Sequence, residues 1–205
     1  MSGRATSGVE RLTTFCDGVY AIAITLLVLE LRVPDHAEVR TTGLWHALGA
    51  HWSSFMAFGL SFLVIGIMWA NHHNIFRYIA GCNHTFIMLN LALLFCTVVI
   101  PFPTAVLAAY LPAPEARTPA TVLYGAVLTA TALAYNGLWH YAVRDRRLLK
   151  SDADPRLVAG VTREYAFGPA LYGAATLVAL LSVWVSLAIH AALAGLYVVP
   201  NRSRP

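Results

Sequence analysis

Long apolar runs alternate with short polar segments along almost the whole chain. A helix needs about 20 mostly apolar residues to cross the hydrocarbon core of a bilayer. The pattern therefore predicts an all-α integral membrane protein whose spans are bounded by charged residues, Pro or Gly. The predicted spans are approximately 9–33, 44–76, 83–110, 118–146, 157–182 and 184–200.

The last apolar region, residues 168–199, is the hardest to divide. As one helix, its 32 residues would extend about 48 Å, against a hydrocarbon core of about 30 Å. It is either one overlong span or two short spans that meet near residues 182–186. Hydropathy leaves both open, because neither Pro nor Gly marks a break there.

The distribution of basic residues favours two spans in that region. With six spans and a cytoplasmic N-terminus, 11 of the 14 Lys and Arg residues lie inside, and three, Arg32, Arg40 and Arg117, lie outside. Five spans would move Arg202 and Arg204 outside and weaken the bias. Because positively charged loops stay in the cytoplasm, we predict six transmembrane helices per subunit, a cell-membrane location and two cytoplasmic termini.

Composition supports this fold and limits the partners. Hydrophobic residues make up 58% of the chain and charged residues 12%, roughly half the charged fraction of a soluble domain, so residues 1–205 form a single transmembrane domain in the lipid bilayer. The net charge of +4 comes from residues between the spans, where it orients the chain rather than binding nucleic acid. The three cysteines have no metal or disulfide spacing, and we predict no metal or cofactor.

The longest charged linker covers residues 143–165 and begins with the basic sequence VRDRRLLK. After Pro155 the apolar positions recover helical spacing, which fits an amphipathic segment that lies on the membrane surface. A solvated loop fits equally well.

The first span carries one continuous stripe of side chains. Ile22, Thr25, Leu26 and Leu29 stand at i, i+3, i+4 and i+7, which places them on one side of a helix. Asp17 points about 140° away from Ile22. Taken alone, the stripe is explained by ordinary helix packing.

Asp17 needs a partner, because an ionisable group within a span is costly. In the predicted orientation it shares its side of the membrane with the end of the second span and the start of the third. The candidate partners there and on the first helix are Arg11, Trp69, His72, His73, Asn74 and His84.

This polar cluster has two possible roles, a structural clasp that joins three helices or a proton or metal site. His72 and His73 are neighbours and point about 100° apart on a helix, unlike the i, i+4 pairs that bind metals. A buried polar network holds together where every member finds a partner. We therefore favour the clasp and predict no metal ligands.

The sequence RLTTFCDGVYAIAITLLVLEL, beginning at Arg11, resembles the first-helix signature of prokaryotic members of the transmembrane protein 175 family, the endolysosomal potassium channels. The sequence WANHHNIF, beginning at Trp69, is also similar to the family. The resemblance implies a homotetramer of six-span subunits in which the first helix lines a central pore. Nothing in the chain matches the T-V-G-Y-G loop of carbonyl filters.

By position in the motif, the resemblance implies that Ile22 forms the narrowest pore ring, with Leu26 and Leu29 on further rings. It implies a pore hydroxyl at Thr25. Arg11, Asp17 and Cys16, which stands where the motif has Ser, would belong to the inter-helix polar network.

The expected function is that of a potassium-permeable cation channel, in which monovalent cations pass a hydrophobic constriction passively. The alternative is a proton-coupled secondary transporter that uses Asp17 with His72 and His73. Such transporters carry interrupted helices, and the first span has neither Pro nor Gly between Val19 and Val33. An enzyme is not expected, since no nucleophile stands at a recognisable spacing from a base.

Overall fold

The computed structural model of the protein describes residues 2–198, with side chains described except at 2–7, 164, 197 and 198. Within this part the chain is helical. The helices are α1 (Ser2–Leu26), α2 (His36–Thr42), α3 (Leu44–Ala50), α4 (Trp52–Phe76), α5 (His84–Val99), α6 (Pro101–Tyr110), α7 (Arg117–Val143), α8 (Pro155–Val178) and α9 (Val183–Val198).

Among residues 2–198, four stretches are long and apolar enough to cross a membrane. They are Gly8–Glu30, Trp52–Phe76, His84–Tyr110 and Arg117–Arg146. The α9 segment Val183–Leu196 is apolar but shorter. The structure thus has an all-α fold with four candidate spans, close to the first four predicted from the sequence.

The predicted span 44–76 is two helices in the structure. Helix α3 ends at Ala50, and α4 begins at Trp52 after His51, whose ψ of 21° departs from helical geometry. One helix over all 33 residues would measure about 50 Å and overshoot the hydrocarbon core by about 20 Å. The sequence prediction includes the seven residues of α3 in the span. Their apolar composition suits a membrane span and a short separate helix equally, so hydropathy does not distinguish the two.

The short helix α2 is set by its own polar residues. The Asp35 carboxylate accepts from the backbone N–H groups of Ala37 at 2.7 Å and Glu38 at 2.8 Å, and the Glu38 carboxylate accepts from Asp35 N at 3.0 Å. This reciprocal capping box fixes the first turn. Gly43, at φ 83°, then ends α2 in a backbone conformation that favours glycine.

The third predicted span bends at its prolines. Pro101 has no N–H to continue the α5 hydrogen bonding, so α5 ends at Val99 and α6 begins at Pro101. The two helices together fill the predicted range 83–110.

The C-terminal apolar region consists of two helices, and their assignment as two membrane spans stays a prediction. Helix α8 ends at Val178, and α9 begins at Val183, slightly before the expected break. Within α8, Pro169 cannot bond to the Tyr165 carbonyl one turn earlier. The Asn136 side chain on α7 donates to that carbonyl at 2.9 Å, which satisfies the freed backbone group.

Helices α7 and α8 pack closely at a small residue. A Cβ added at Gly125 would collide with the Thr176 side chain, whereas one added at Gly137 on the same helix meets nothing within 4 Å. The Thr129 and Thr176 hydroxyls lie 3.2 Å apart beside it. Small residues let helix backbones approach in a membrane, where dispersion contacts rather than water exclusion hold helices together.

We expect Gly125→Ala to destabilise the purified protein by about 1–3 kcal/mol through overpacking. Thermal unfolding in detergent measures this loss. Gly137→Ala is the matched control, and it is expected to leave the melting temperature unchanged or raise it, since Ala favours the helix. Equal melting temperatures for the two variants would show that α7 and α8 do not approach closely at Gly125.

Candidate functional site

Helix α1 has two faces that differ sharply in exposure. On one face Ile22 is 60% exposed, Leu26 39% and Leu29 73%. On the other, Cys16 and Ala23 are fully buried against the rest of the chain. The first helix therefore packs on one side and leaves the predicted stripe exposed. A 3-10 helix over residues 27–30 continues α1 and carries Leu29.

Thr25 lies on the exposed face. Its hydroxyl donates back into the helix and lies 2.9 Å from the carbonyl oxygens of both Ala21 and Ile22. Because the proton is directed towards the helix, the lone pairs of the hydroxyl oxygen remain available on the exposed side.

Asp17 faces α4. Its carboxylate accepts a 2.8 Å hydrogen bond from the indole N–H of Trp69. The His73 ring lies against the same indole, at 5.9 Å between centroids. Asp17 thus joins α1 to α4 and points away from the exposed stripe.

A second polar contact joins α1, α4 and α5. The side-chain amide of Asn90 donates to the Cys16 sulfur at 3.1 Å, and the His72 Nε2 lies 2.9 Å from the Asn90 carbonyl oxygen. His72 must donate there, because the amide oxygen is an acceptor. All three residues are buried, and His72 also stacks on Phe76 at 4.3 Å.

A third contact joins α1 to α7 and α4. The Tyr20 and Tyr135 hydroxyls lie 2.7 Å apart, and Tyr135 donates to the backbone carbonyl of Met68. Tyr20 therefore donates to Tyr135. The buried face of α1 is fixed by polar contacts to three neighbouring helices.

Three predicted members lie apart from these contacts. Among the described residues, the side chains of Arg11, Asn74 and His84 make no hydrogen bond or ion pair. Helix geometry explains two of these cases: Arg11 lies six residues before Asp17, which directs the two side chains about 120° apart around the helix axis. His84 precedes Asn90 by six residues, about 9 Å along α5.

Asn90 and Tyr135 were absent from the sequence prediction. Asn90 is an isolated amide within an apolar run of the third span, and the rule that singled out Asp17 applies to it equally. The Tyr135 hydroxyl gave no comparable signal, because tyrosines are common in membrane helices. No group of three or more possible metal ligands occurs among the described residues.

Fold and site together define a multi-span α-helical membrane protein whose first helix is held on one face and free on the other. A family model described as the endosomal/lysosomal potassium channel TMEM175 matches residues 11–101. A potassium channel of Chamaesiphon minutus is 46% identical over 183 residues, which cover 89% of this chain and 90% of that protein. A potassium channel of Streptomyces collinus is 42% identical, over 91% of this chain and 90% of that one.

A solved structure of the same family is also similar to this chain. The crystal structure of a TMEM175 homologue from Chamaesiphon minutus, described as a lysosomal potassium-selective channel homologue, superposes with a TM-score of 0.87 at 41% identity. The match covers 97% of this chain and 100% of that chain. The protein belongs to the TMEM175 family, a family of membrane channels, which is not an enzyme class.

Asn90 holds two helices through one amide, so its loss should be costly. We expect Asn90→Leu to lower stability by about 1–3 kcal/mol for each buried group left unpaired, measured as the thermal unfolding midpoint in detergent. Asn74→Leu is the matched control, because the Asn74 amide makes no hydrogen bond among the described residues. If both variants melt alike, the contacts of Asn90 with Cys16 and His72 do not stabilise the protein.

Proposed function

We propose that this protein is a potassium-permeable cation channel of the cell membrane that works as a homotetramer. Each subunit has six spans, with α8 and α9 as the fifth and sixth, and both termini lie in the cytoplasm. The α1 helices of four subunits line the pore. Its narrowest ring is formed by Ile22, followed by rings at Leu26 and Leu29.

The exposure of α1 carries this proposal. In the most apolar 18-residue stretch of the first candidate span, 22% of the residues are buried within the subunit. The corresponding share is 39–44% in the other three candidate spans. Helix α1 is thus the least enclosed candidate span within one subunit. One face cannot enclose a pore by itself, so a ring of subunits around a common axis is required.

Polar contacts on the opposite face support the assignment of the stripe to the pore. The bonds from Asp17, Cys16 and Tyr20 all lead into the subunit. They fix the rotation of α1, so that the stripe is directed away from the subunit core. The relatives of high identity are named potassium channels, which supports the same permeant ion here.

The proposed mechanism depends on dehydration. A ring of Ile22 side chains offers no oxygen to replace water, so an ion passes it after losing part of its hydration shell. Potassium releases water more readily than sodium and therefore meets the lower barrier. Thr25 hydroxyls, one turn further, would return some coordination. This arrangement produces a modest preference without a carbonyl filter.

The transporter alternative needs a proton path between Asp17 and the histidines. The partner of Asp17 is the Trp69 indole, which carries a single N–H and does not exchange protons with a carboxylate at ordinary pH. His72 bonds to Asn90 instead. These separate contacts favour the channel.

The subunit count is the first prediction. We expect the protein, purified in mild detergent, to have the mass of four chains by light scattering or native mass spectrometry, since the pore needs a closed ring. A monomer that conducts when reconstituted would contradict the proposal.

The second prediction concerns Ile22→Asn. Four amide side chains, each with as many heavy atoms as Ile but a smaller volume, would coordinate cations and hold water in the constriction. We expect potassium conductance to rise, sodium conductance to rise more, and the potassium preference to fall. Currents from the reconstituted protein, recorded with each cation in turn, measure all three.

Ile24→Asn is the matched control. Ile24 is half-buried and lies against Gly66 of α4, so the same substitution there is expected to reduce stability without raising the current. Unchanged selectivity in Ile22→Asn would place the main barrier elsewhere, with Leu26 and Leu29 the next positions to test.

A further inference from the structure

Four cations stand close together where α7 ends. Arg144, Arg146, Arg147 and Lys150 are all exposed, and Asp145 is the one acid among residues 144–150, so the segment carries a net charge of +3 (four cations minus one carboxylate). The candidate span of α7 ends at Arg146. The charges therefore begin where the apolar stretch stops.

This basic loop, residues 144–150, is a fixed structure. Leu148 and Leu149 are each 9% exposed and pack into a core cluster with Ile79 and Trp139. Two backbone hydrogen bonds pair the loop with the connection between α4 and α5: Ala80 N to Leu148 O at 2.8 Å and Lys150 N to Tyr78 O at 2.9 Å. The second bond pairs Lys150 with Tyr78, the residue that follows the exposed Arg77.

The backbone within the loop has an uncommon conformation. Asp145 and Arg146 are consecutive non-glycine residues with φ of 56° and 50°, in the left-handed region that such residues avoid. Basic residues that only set the orientation of the chain need to lie on the cytoplasmic side of the membrane, and a loop without fixed structure is sufficient for that. The anchoring and the backbone conformation go beyond that requirement.

Few of these charges are neutralised by the protein. Asp145 lies 3.4 Å from Arg147 and 3.9 Å from Arg144, in exposed pairs of little strength. Arg146 donates one hydrogen bond to the Ala153 carbonyl and keeps its remaining donors. The nearby Asp154 is engaged in capping α8 through Arg156 N at 2.8 Å.

We propose that the basic loop binds the phosphate-bearing headgroups of anionic phospholipids at the inner membrane surface. Clusters of four or more Lys and Arg beside a span attract such lipids, and charge-assisted bonds from Arg match phosphate geometry. The inference rests on the orientation in the proposed function, with the loop on the cytoplasmic side. The bound lipid would fix the inner ends of α4, α5 and α7, because the loop is paired with their connection.

Lipid retention by the purified full-length protein tests this. The protein in non-ionic detergent is titrated with dioleoylphosphatidylglycerol or dioleoylphosphatidylcholine, and retained lipid is counted by native mass spectrometry. We expect preferential retention of phosphatidylglycerol. Arg144→Gln/Arg147→Gln/Lys150→Gln should weaken it on the order of 100-fold, since each charge near a membrane surface contributes about fivefold.

The matched control removes the same charge elsewhere. Arg32→Gln/Arg40→Gln/Arg117→Gln neutralises the three basic residues assigned to the outer side, and retention should be unchanged. Equal loss in both triple variants would overturn the proposal, because general attraction to a cationic protein would explain it. Loss in the control alone would overturn it as well.

Two further variants and a competition with phosphate complete the experiment. Arg144→Lys/Arg147→Lys keeps the charge and should keep most of the retention. If the triple variant does not fold, Lys150→Gln alone should weaken retention about fivefold, and no change would overturn the proposal. Displacement of the lipid by excess inorganic phosphate would show a free-anion site instead.

Lipid retention is measured without an ion gradient, so the test is independent of the proposed conduction. Loss of preferential retention would overturn the lipid proposal and leave the proposed conduction standing. Absence of potassium currents would refute the proposed conduction alone.

Discussion

The structure depends on polar hydrogen bonds that hold α1 by one face. In a bilayer, lipid tails are as apolar as leucine side chains, so burying Ile or Leu between helices does little to choose one rotation of a helix over another. A hydroxyl, amide or carboxylate in the same place does choose, because leaving it unpaired costs about 1–3 kcal/mol. Asp17, Cys16 and Tyr20 each find a partner on another helix.

That constraint explains the relation between the two faces of α1. The polar groups are on the side that packs, and the exposed stripe through Ile22 is apolar apart from Thr25. A helix whose rotation is fixed by its buried side can present an unsupported apolar surface without turning it inward. The contacts reach α4, α5 and α7, so any movement of the free face is coupled to the helices that surround it.

The contacts between α7 and α8 also depend on hydrogen bonds, here between uncharged groups. The freed carbonyl of Tyr165 is met by Asn136, and the close approach at Gly125 is lined by the Thr129 and Thr176 hydroxyls. Both join α7 to α8, a helix too polar to qualify by composition as a candidate span. Helix α8 is thus held by specific contacts with α7 rather than by its own hydropathy.

The sequence by itself determined the all-α membrane fold, the approximate positions of the four candidate spans and the placement of Ile22, Thr25, Leu26 and Leu29 on one side of the first helix, because these follow from local periodicity and hydropathy. It also included Trp69 among six candidate partners of Asp17, and the structure shows a hydrogen bond between the two side chains. Only the tertiary structure separated α3 from α4 and showed that Asn90 and Tyr135 are the partners of α1. Three predicted members of the polar network make no hydrogen bond among the described residues: Arg11, Asn74 and His84. The reason is physical: hydropathy measures the preference of a residue for lipid or water, whereas a hydrogen-bond partner is decided by helix rotation and depth, which distant residues set together.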